Sequence, residues 1–168
     1  MKLEERNIIL NDTQIRSKLK RISYQIIESN IKNSRVVIAG IESNGYKIAK
    51  ELIRIINSIS DIDVLLCKVI IDKKNPRNSV KTSLKESEYS NTSIVLIDDV
   101  LNSGSTLIYG VKHFLNVELI QFKTAVLVNR NHKKFPVKAD FKGISLSTSM
   151  QNHVVVEFKE SMIQVVLV

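Results

Sequence analysis

The chain has 168 residues, with 25 Lys and Arg against 17 Asp and Glu, a formal charge of +8 and 43% hydrophobic residues. That balance excludes disorder and coiled coil, and the length suits one domain, 1–168, burying ~70% of its unfolded surface. A single cysteine, Cys67, excludes an intramolecular disulfide and a cysteine-based zinc centre, and no apolar run approaches the ~20 residues of a membrane helix.

Asn11-Asp12-Thr13 supply N-cap residues for an amphipathic helix within Ile8–Asn30, where Ile15, Leu19, Ile22, Ile26 and Ile27 recur at spacings of three and four. The other face of that helix carries Arg16, Lys18, Lys20 and Arg21. Arg35–Gly40 is a β-branched run closed by glycine and predicts a buried strand. Gly45–Asn57 returns to helical spacing, and Ile62–Ile71 predicts a second strand around Cys67. Asp72–Asn91 is polar and predicts a long exposed loop, a length that often marks a lid. Thr92–Ile97, Leu119–Asn129 and Ala139–Leu146 predict further strands, with a helix at Leu107–Leu115 and a hairpin from Val154–Phe158 and Ile163–Val168. Strands alternating with helices predict an α/β fold, a doubly wound and mostly parallel sheet. Ligands of such sheets sit outside the carboxyl ends of the strands, so the loops after Ala39, Ile97 and Val128 are the places to look.

One of them carries recognisable chemistry. In Ile94–Thr106 an apolar strand ends in two carboxylates, Asp98 and Asp99, followed by Asn102-Ser103-Gly104-Ser105-Thr106 and then a helix. Gly104 admits positive φ, the hydroxyls donate hydrogen bonds, and a helix N-terminus adds free N–H groups and the positive end of its dipole. That combination suits a phosphate monoester. The carboxylates accept hydrogen bonds only, so they suit a ribose diol or the water shell of Mg²⁺. A ligand with a diol at one end and a 5′-phosphate at the other matches this order. No G-x-x-x-x-G-K-[ST] and no G-x-G-x-x-G occurs, which argues against a P-loop hydrolase and a dinucleotide enzyme.

Val95–Thr106 resembles the phosphoribosyl-pyrophosphate (PRPP) motif of the type I phosphoribosyltransferases. The likeness extends over nearly the whole chain to the PyrR group of that family, pyrimidine-operon attenuation proteins that also act as uracil phosphoribosyltransferases. It is carried by Ile9–Asp12, Gly40–Gly45, Val95–Thr106, Ala125–His132, Phe135–Asp140 and Gly143–Ser149. The resemblance implies a small hood and a C-terminal β-hairpin beside the parallel sheet. It implies transfer of the 5-phosphoribosyl group from Mg²⁺-bound PRPP to a nucleobase, uracil first among them, with release of pyrophosphate.

The same resemblance implies roles by position. Asp98 and Asp99 would serve catalysis, binding the ribose hydroxyls and Mg²⁺. Asn102, Ser103, Gly104, Ser105 and Thr106 would hold the 5′-phosphate. Ser43, Asn44, Gly45 and Lys68 would meet the pyrophosphate, and Lys73–Arg77 would form the lid. Val128, Arg130 and His132 would lie by the base. Relatives acting on hypoxanthine or guanine carry an acid where Asn102 stands, which turns the expectation toward a pyrimidine. The family also implies a homodimer or higher homo-oligomer, a nucleobase or nucleoside monophosphate as ligand, and RNA as a partner.

The chain departs from the PyrR pattern at the pyrophosphate side. Asn44 replaces an arginine, and Cys67-Lys68-Val69-Ile70 replaces Tyr-Arg-Asp-Asp. Asn129 replaces an aspartate and Asn131 a glycine. Lysine is a point charge and cannot form arginine's bidentate fork, so Lys47, Lys73 and Lys74 are the candidates to make up the missing charge. Apart from the resemblance, Gly40 and Gly45 read as tight-turn glycines. His113 and His153 read as structural, and the three histidines lack metal spacing. The basic excess fits RNA, a polyphosphate metabolite or acidic lipid, and the N-terminus carries no apolar signal core. A cytoplasmic protein without a membrane partner is therefore expected.

Overall fold

The structure is a computed structural model that describes residues 6–149 and 152–168. In chain order it contains β1 (Asn7–Leu10), α1 (Asp12–Ser29), β2 (Arg35–Ile41), α2 (Asn44–Ile59), β3 (Asp63–Ile70), β4 (Lys81–Thr82), α3 (Glu86–Tyr89), β5 (Ser93–Leu101), α4 (Ser105–Phe114), β6 (Gln121–Arg130), β7 (Phe141–Leu146), β8 (Val154–Lys159) and β9 (Met162–Leu167). Six strands form one sheet in the order β4-β3-β2-β5-β6-β7, parallel except for the short β4 at its edge. The remaining strands form a small antiparallel sheet, β1-β9-β8. The expected doubly wound sheet with a hood and hairpin is therefore present.

Alternation along the strands builds the two cores. Val36, Ile38, Val95, Ile97, Ala125 and Leu127 face α1, α2 and the small sheet. Val37, Ala39, Ile41, Ile94, Leu96 and Val126 face α4 and the 80s segment, with Cys67 buried among them. Helices cover both faces, so these strands read as unbroken apolar runs rather than alternating ones. No helix among the described residues is long and apolar enough to cross a membrane.

The N-cap expected at Asn11–Thr13 is at Asn11, and three features differ from expectation. First, the residues before the cap, 7–10, form a strand paired with β9, because α1 is stopped on its N-terminal side by a capping box. Asn11 Oδ1 accepts the Gln14 N–H at 2.9 Å, and Gln14 Oε1 accepts the Asn11 N–H at 3.0 Å. Asp12 then ties the small sheet to the helix. Its carboxylate accepts from Ile163 N at 2.9 Å and from Arg16 Nε at 2.7 Å, two bonds that hold its pKa below the usual carboxylate range.

Second, Asp72–Asn91 is not all exposed loop. It contains β4 and α3, and Tyr89 is among the largest fully buried side chains, edge-on to Phe114 at 5.1 Å. Third, β5 runs on through Leu101, because Val100 and Leu101 pair with Val128 and Asn129 of β6. Asp98 and Asp99 are consequently strand residues, held with strand rigidity.

Candidate active site

A cavity of about 310 Å³ opens at the carboxyl end of β5. Asp98, Asp99, Asn102, Ser103, Gly104, Ser105 and Thr106 line it together, with Lys73 on one side and Val154–Val156 of β8 on the other. Strand alternation sends the two acids in different directions. Asp98 meets Lys73, whose Nζ lies 3.9 Å from Oδ1. Asp99 accepts a hydrogen bond from Asn44 Nδ2 at 3.1 Å, and the same amide group donates to the Val156 carbonyl at 2.9 Å. Asn44 thus fastens the hood to the second acid, a short neutral link where the family pattern has a long cation.

Asp98 is only 4% exposed. Burial, and then the charge of Asp99, push its carboxyl up to about 8, against the pull of Lys73. Two crowded acids in a closed site favour a shared proton or an arriving cation. Gly45 sits against this corner: a Cβ there would lie 2.7 Å from the Ile97 carbonyl oxygen and 3.0 Å from Asp98 Cα. The first turn of α2 can approach β5 this closely only without a side chain.

The turn after β5 is clamped from behind. Ser103 O accepts the N–H groups of Lys134 at 2.8 Å and Phe135 at 3.1 Å, and Ser103 Oγ accepts the Ser105 N–H at 3.2 Å. Gly104 is the N-cap of α4 with φ 85°, the left-handed region that favours glycine. Ser105–Leu107 at the start of α4 line the cavity, and the N-terminus of a helix is a place that holds anions elsewhere.

Seven of the expected positions, Ser43, Asn44, Gly45, Lys68, Val128, Arg130 and His132, do not line this cavity. Ser43 precedes α2 after a cis Glu42–Ser43 peptide. Lys68 Nζ is paired with Glu42 Oε1 at 2.9 Å, so its charge is already matched. Of the lysines offered as substitutes, Lys73 alone lines the cavity. Lys47 instead covers the Phe158 ring at 5.1 Å. Val128 is a correction: it is fully buried in the core, in the same cluster as its neighbour Leu127, and lines neither this cavity nor the next one.

The neighbouring cavity, about 260 Å³, shares Asn102, Ser103 and Val154 with the first and adds Arg130, His132, Lys134 and His153. His132 Nε2 lies 2.8 Å from the Thr148 carbonyl. Sequence reasoning missed His153 and the whole β8 wall. Their signal, a hairpin of valines, says nothing about where the hairpin docks.

The phosphoribosyl transferase domain family matches residues 5–161 of the chain. Bifunctional protein PyrR from Streptococcus thermophilus (strain CNRZ 1066) is 32% identical over 151 residues, covering 87% of this chain and 86% of that protein. Bifunctional protein PyrR from Bacillus cereus (strain B4264) is 30% identical, covering 95% and 94%. Among solved structures, a hypoxanthine-guanine phosphoribosyltransferase from Bacillus anthracis shares the fold at a TM-score of 0.75 with 17% identity over 94% of this chain and 96% of that one. The hypoxanthine phosphoribosyltransferase of Trypanosoma cruzi does so at 0.77 with 15% identity over 95% of each. The fold, the matched family and these relatives agree: the chain belongs to the phosphoribosyl transferase family, alongside bifunctional protein PyrR.

Proposed function

We propose that the chain transfers the 5-phosphoribosyl group of PRPP to uracil and releases pyrophosphate. What carries this reading is one cavity that joins an acid pair to a clamped, glycine-capped phosphate turn. In it Asn102–Thr106 take the 5′-phosphate on backbone N–H groups and on the serine and threonine hydroxyls, with the Asn102 side chain turned instead to Arg130, and Asp98 and Asp99 accept from the ribose hydroxyls. A bond forms between the anomeric carbon and a ring nitrogen of the base. The bond to pyrophosphate breaks, and the proton of the ring nitrogen passes to the departing pyrophosphate. The β8 wall excludes water, which would otherwise take the oxocarbenium-like carbon.

Asp98 and Asp99 fit Mg²⁺, since they are hard oxygen donors on one cavity and the ion takes its other positions from water and substrate oxygens. Bound there, it would neutralise charge on the departing pyrophosphate. Lys73 adds a second positive charge on the same side. Asn102 has no proton to exchange at neutral pH, which favours a pyrimidine over a purine. The cavity that Asn102 shares with Arg130 and His132 is the place for the base.

The test is pyrophosphate release from Mg²⁺ and PRPP with a panel of bases. Uracil is expected to give the highest kcat/KM, and silence with every base overturns the reading.

A second reading is an RNA-binding nucleotide sensor with weak or no transferase activity, in keeping with the bifunctional relatives. It is favoured by Arg21, whose Nη2 donates to the carbonyls of Lys142 at 3.1 Å and Gly143 at 2.8 Å, joining the basic face of α1 to Lys142. Affinity for a short RNA hairpin should then fall steeply with salt, with a log–log slope of about −0.7 to −0.9 per phosphate contacted. A flat response removes this reading.

A further inference from the structure

We propose that Asn102, oriented by Arg130, chooses the base by presenting one fixed N–H donor to a ring carbonyl where the two cavities meet. The inference rests on the transferase reading above and adds to it the residue and the hydrogen-bond polarity that decide the substrate.

Asn102 lines both cavities. Arg130 Nη1 donates to Asn102 Oδ1 at 3.1 Å. Arginine has donors and no acceptor, so the carboxamide must turn its oxygen toward the guanidinium and its NH₂ away. The alternative rotamer would set N–H against N–H. Arg130 cannot move aside to permit it. It is 6% exposed and anchored by Thr148 Oγ1 at 3.1 Å to Nε and 2.6 Å to Nη2, by the Ser149 carbonyl at 3.2 Å and by the Asn152 carbonyl at 2.9 Å. Among the described residues no hydrogen bond uses Asn102 Nδ2.

A ligand group meeting that nitrogen must be an acceptor. A ring carbonyl satisfies it, whereas an exocyclic amine at the same place would set two donors against each other. Sites built around one such bond discriminate more strongly than apolar pockets do. An acid in place of Asn102 would reverse the polarity and pair with Arg130 as an ion.

The experiment compares wild type, Asn102→Ala and Arg130→Lys with uracil, 2-thiouracil, 4-thiouracil and cytosine. Sulfur is a weaker acceptor than oxygen, so each thio base reports on one carbonyl. One thiouracil is expected to fall about tenfold below uracil in kcat/KM with wild-type protein, the range of a single directed hydrogen bond. In Asn102→Ala that ratio should shrink to within about twofold, the change appearing in the KM for base while the KM for PRPP stays put. Arg130→Lys, which loosens the positioning, should lower the same ratio.

The proposal is overturned if wild type and Asn102→Ala treat both thiouracils alike. It is also overturned if Asn102→Ala raises the KM for PRPP alone, which would assign the amide to the phosphate turn. Turnover with uracil but no change in the ratio sinks this inference and leaves the transferase reading standing. No turnover with any base sinks both.

Discussion

Asp99→Asn is expected to lower pyrophosphate release by about 10²- to 10³-fold, the range for removing one preorganised charged or polar partner of a transition state. Melting temperature should hold. Asp99 Oδ1 accepts the N–H of Val100 at 2.8 Å and Oδ2 accepts from Asn44, so the side chain is fixed from two sides before any ligand arrives. Asparagine keeps the volume and one of those acceptors, and the strand around it stays paired with β6 through Leu101. What goes is the negative charge beside the place where the sugar ring becomes cationic. Parallel assays of pyrophosphate release and thermal melting separate the two effects. Full activity in this variant would exclude the carboxylate from the chemistry, and a collapsed melt would make it structural instead.

The neutral link at Asn44 gives the same prediction a second edge. The family resemblance puts an arginine at this position. Here the amide bridges Asp99 and the Val156 carbonyl, so the hood and the acid move together. Lys68 is held by Glu42 at 2.9 Å, whereas Lys73 lines the cavity and touches Asp98 only at 3.9 Å, so Lys73 is the cation better placed for the proposed pyrophosphate.

Much of this was readable from residues alone, for physical reasons that differ by region. Val36–Ala39 and Ile94–Ile97 are buried on both faces, so their apolar runs announce strands of a covered parallel sheet. Asp98 through Thr106 are contiguous in sequence, so a site built on one strand-turn-helix unit is written out in order. The hood is different. β1 pairs with β9 across nearly the whole chain, Asn7 against Leu167, and no local pattern encodes so distant a partner. Arg130 was legible as a candidate beside the base but not as an anchored residue, because the carbonyls of Ser149 and Asn152 that fix it belong to irregular backbone. Tyr89 was hidden by its polar neighbours. One aromatic in a serine- and lysine-rich stretch carries no periodicity, yet it fills the space under α4.

Gly104→Ala is the other change expected to have a large effect. It should destabilise the protein by about 1–3 kcal/mol and weaken PRPP binding at least about tenfold. Two causes act together. At φ 85° an alanine leaves its allowed region, and its Cβ would lie 2.5 Å from Val137 Cγ1. Backing away is blocked, because Lys134 and Phe135 donate to the Ser103 carbonyl and hold the 134–137 segment against the turn. The turn itself must open, which swings the first N–H groups of α4 off the phosphate. Val137→Ala removes the clashing methyl while leaving the backbone strain, so Gly104→Ala combined with Val137→Ala should recover part of the stability lost to Gly104→Ala and little of the affinity. Gly104→Asn should be the mildest replacement, since asparagine visits the left-handed region more readily than alanine. Thermal melts and PRPP titration by calorimetry read both quantities. If Gly104→Ala melts and binds like wild type, then the turn does not hold the phosphate with its backbone, and Ser103, Ser105 and Thr106 must do so by their hydroxyls alone.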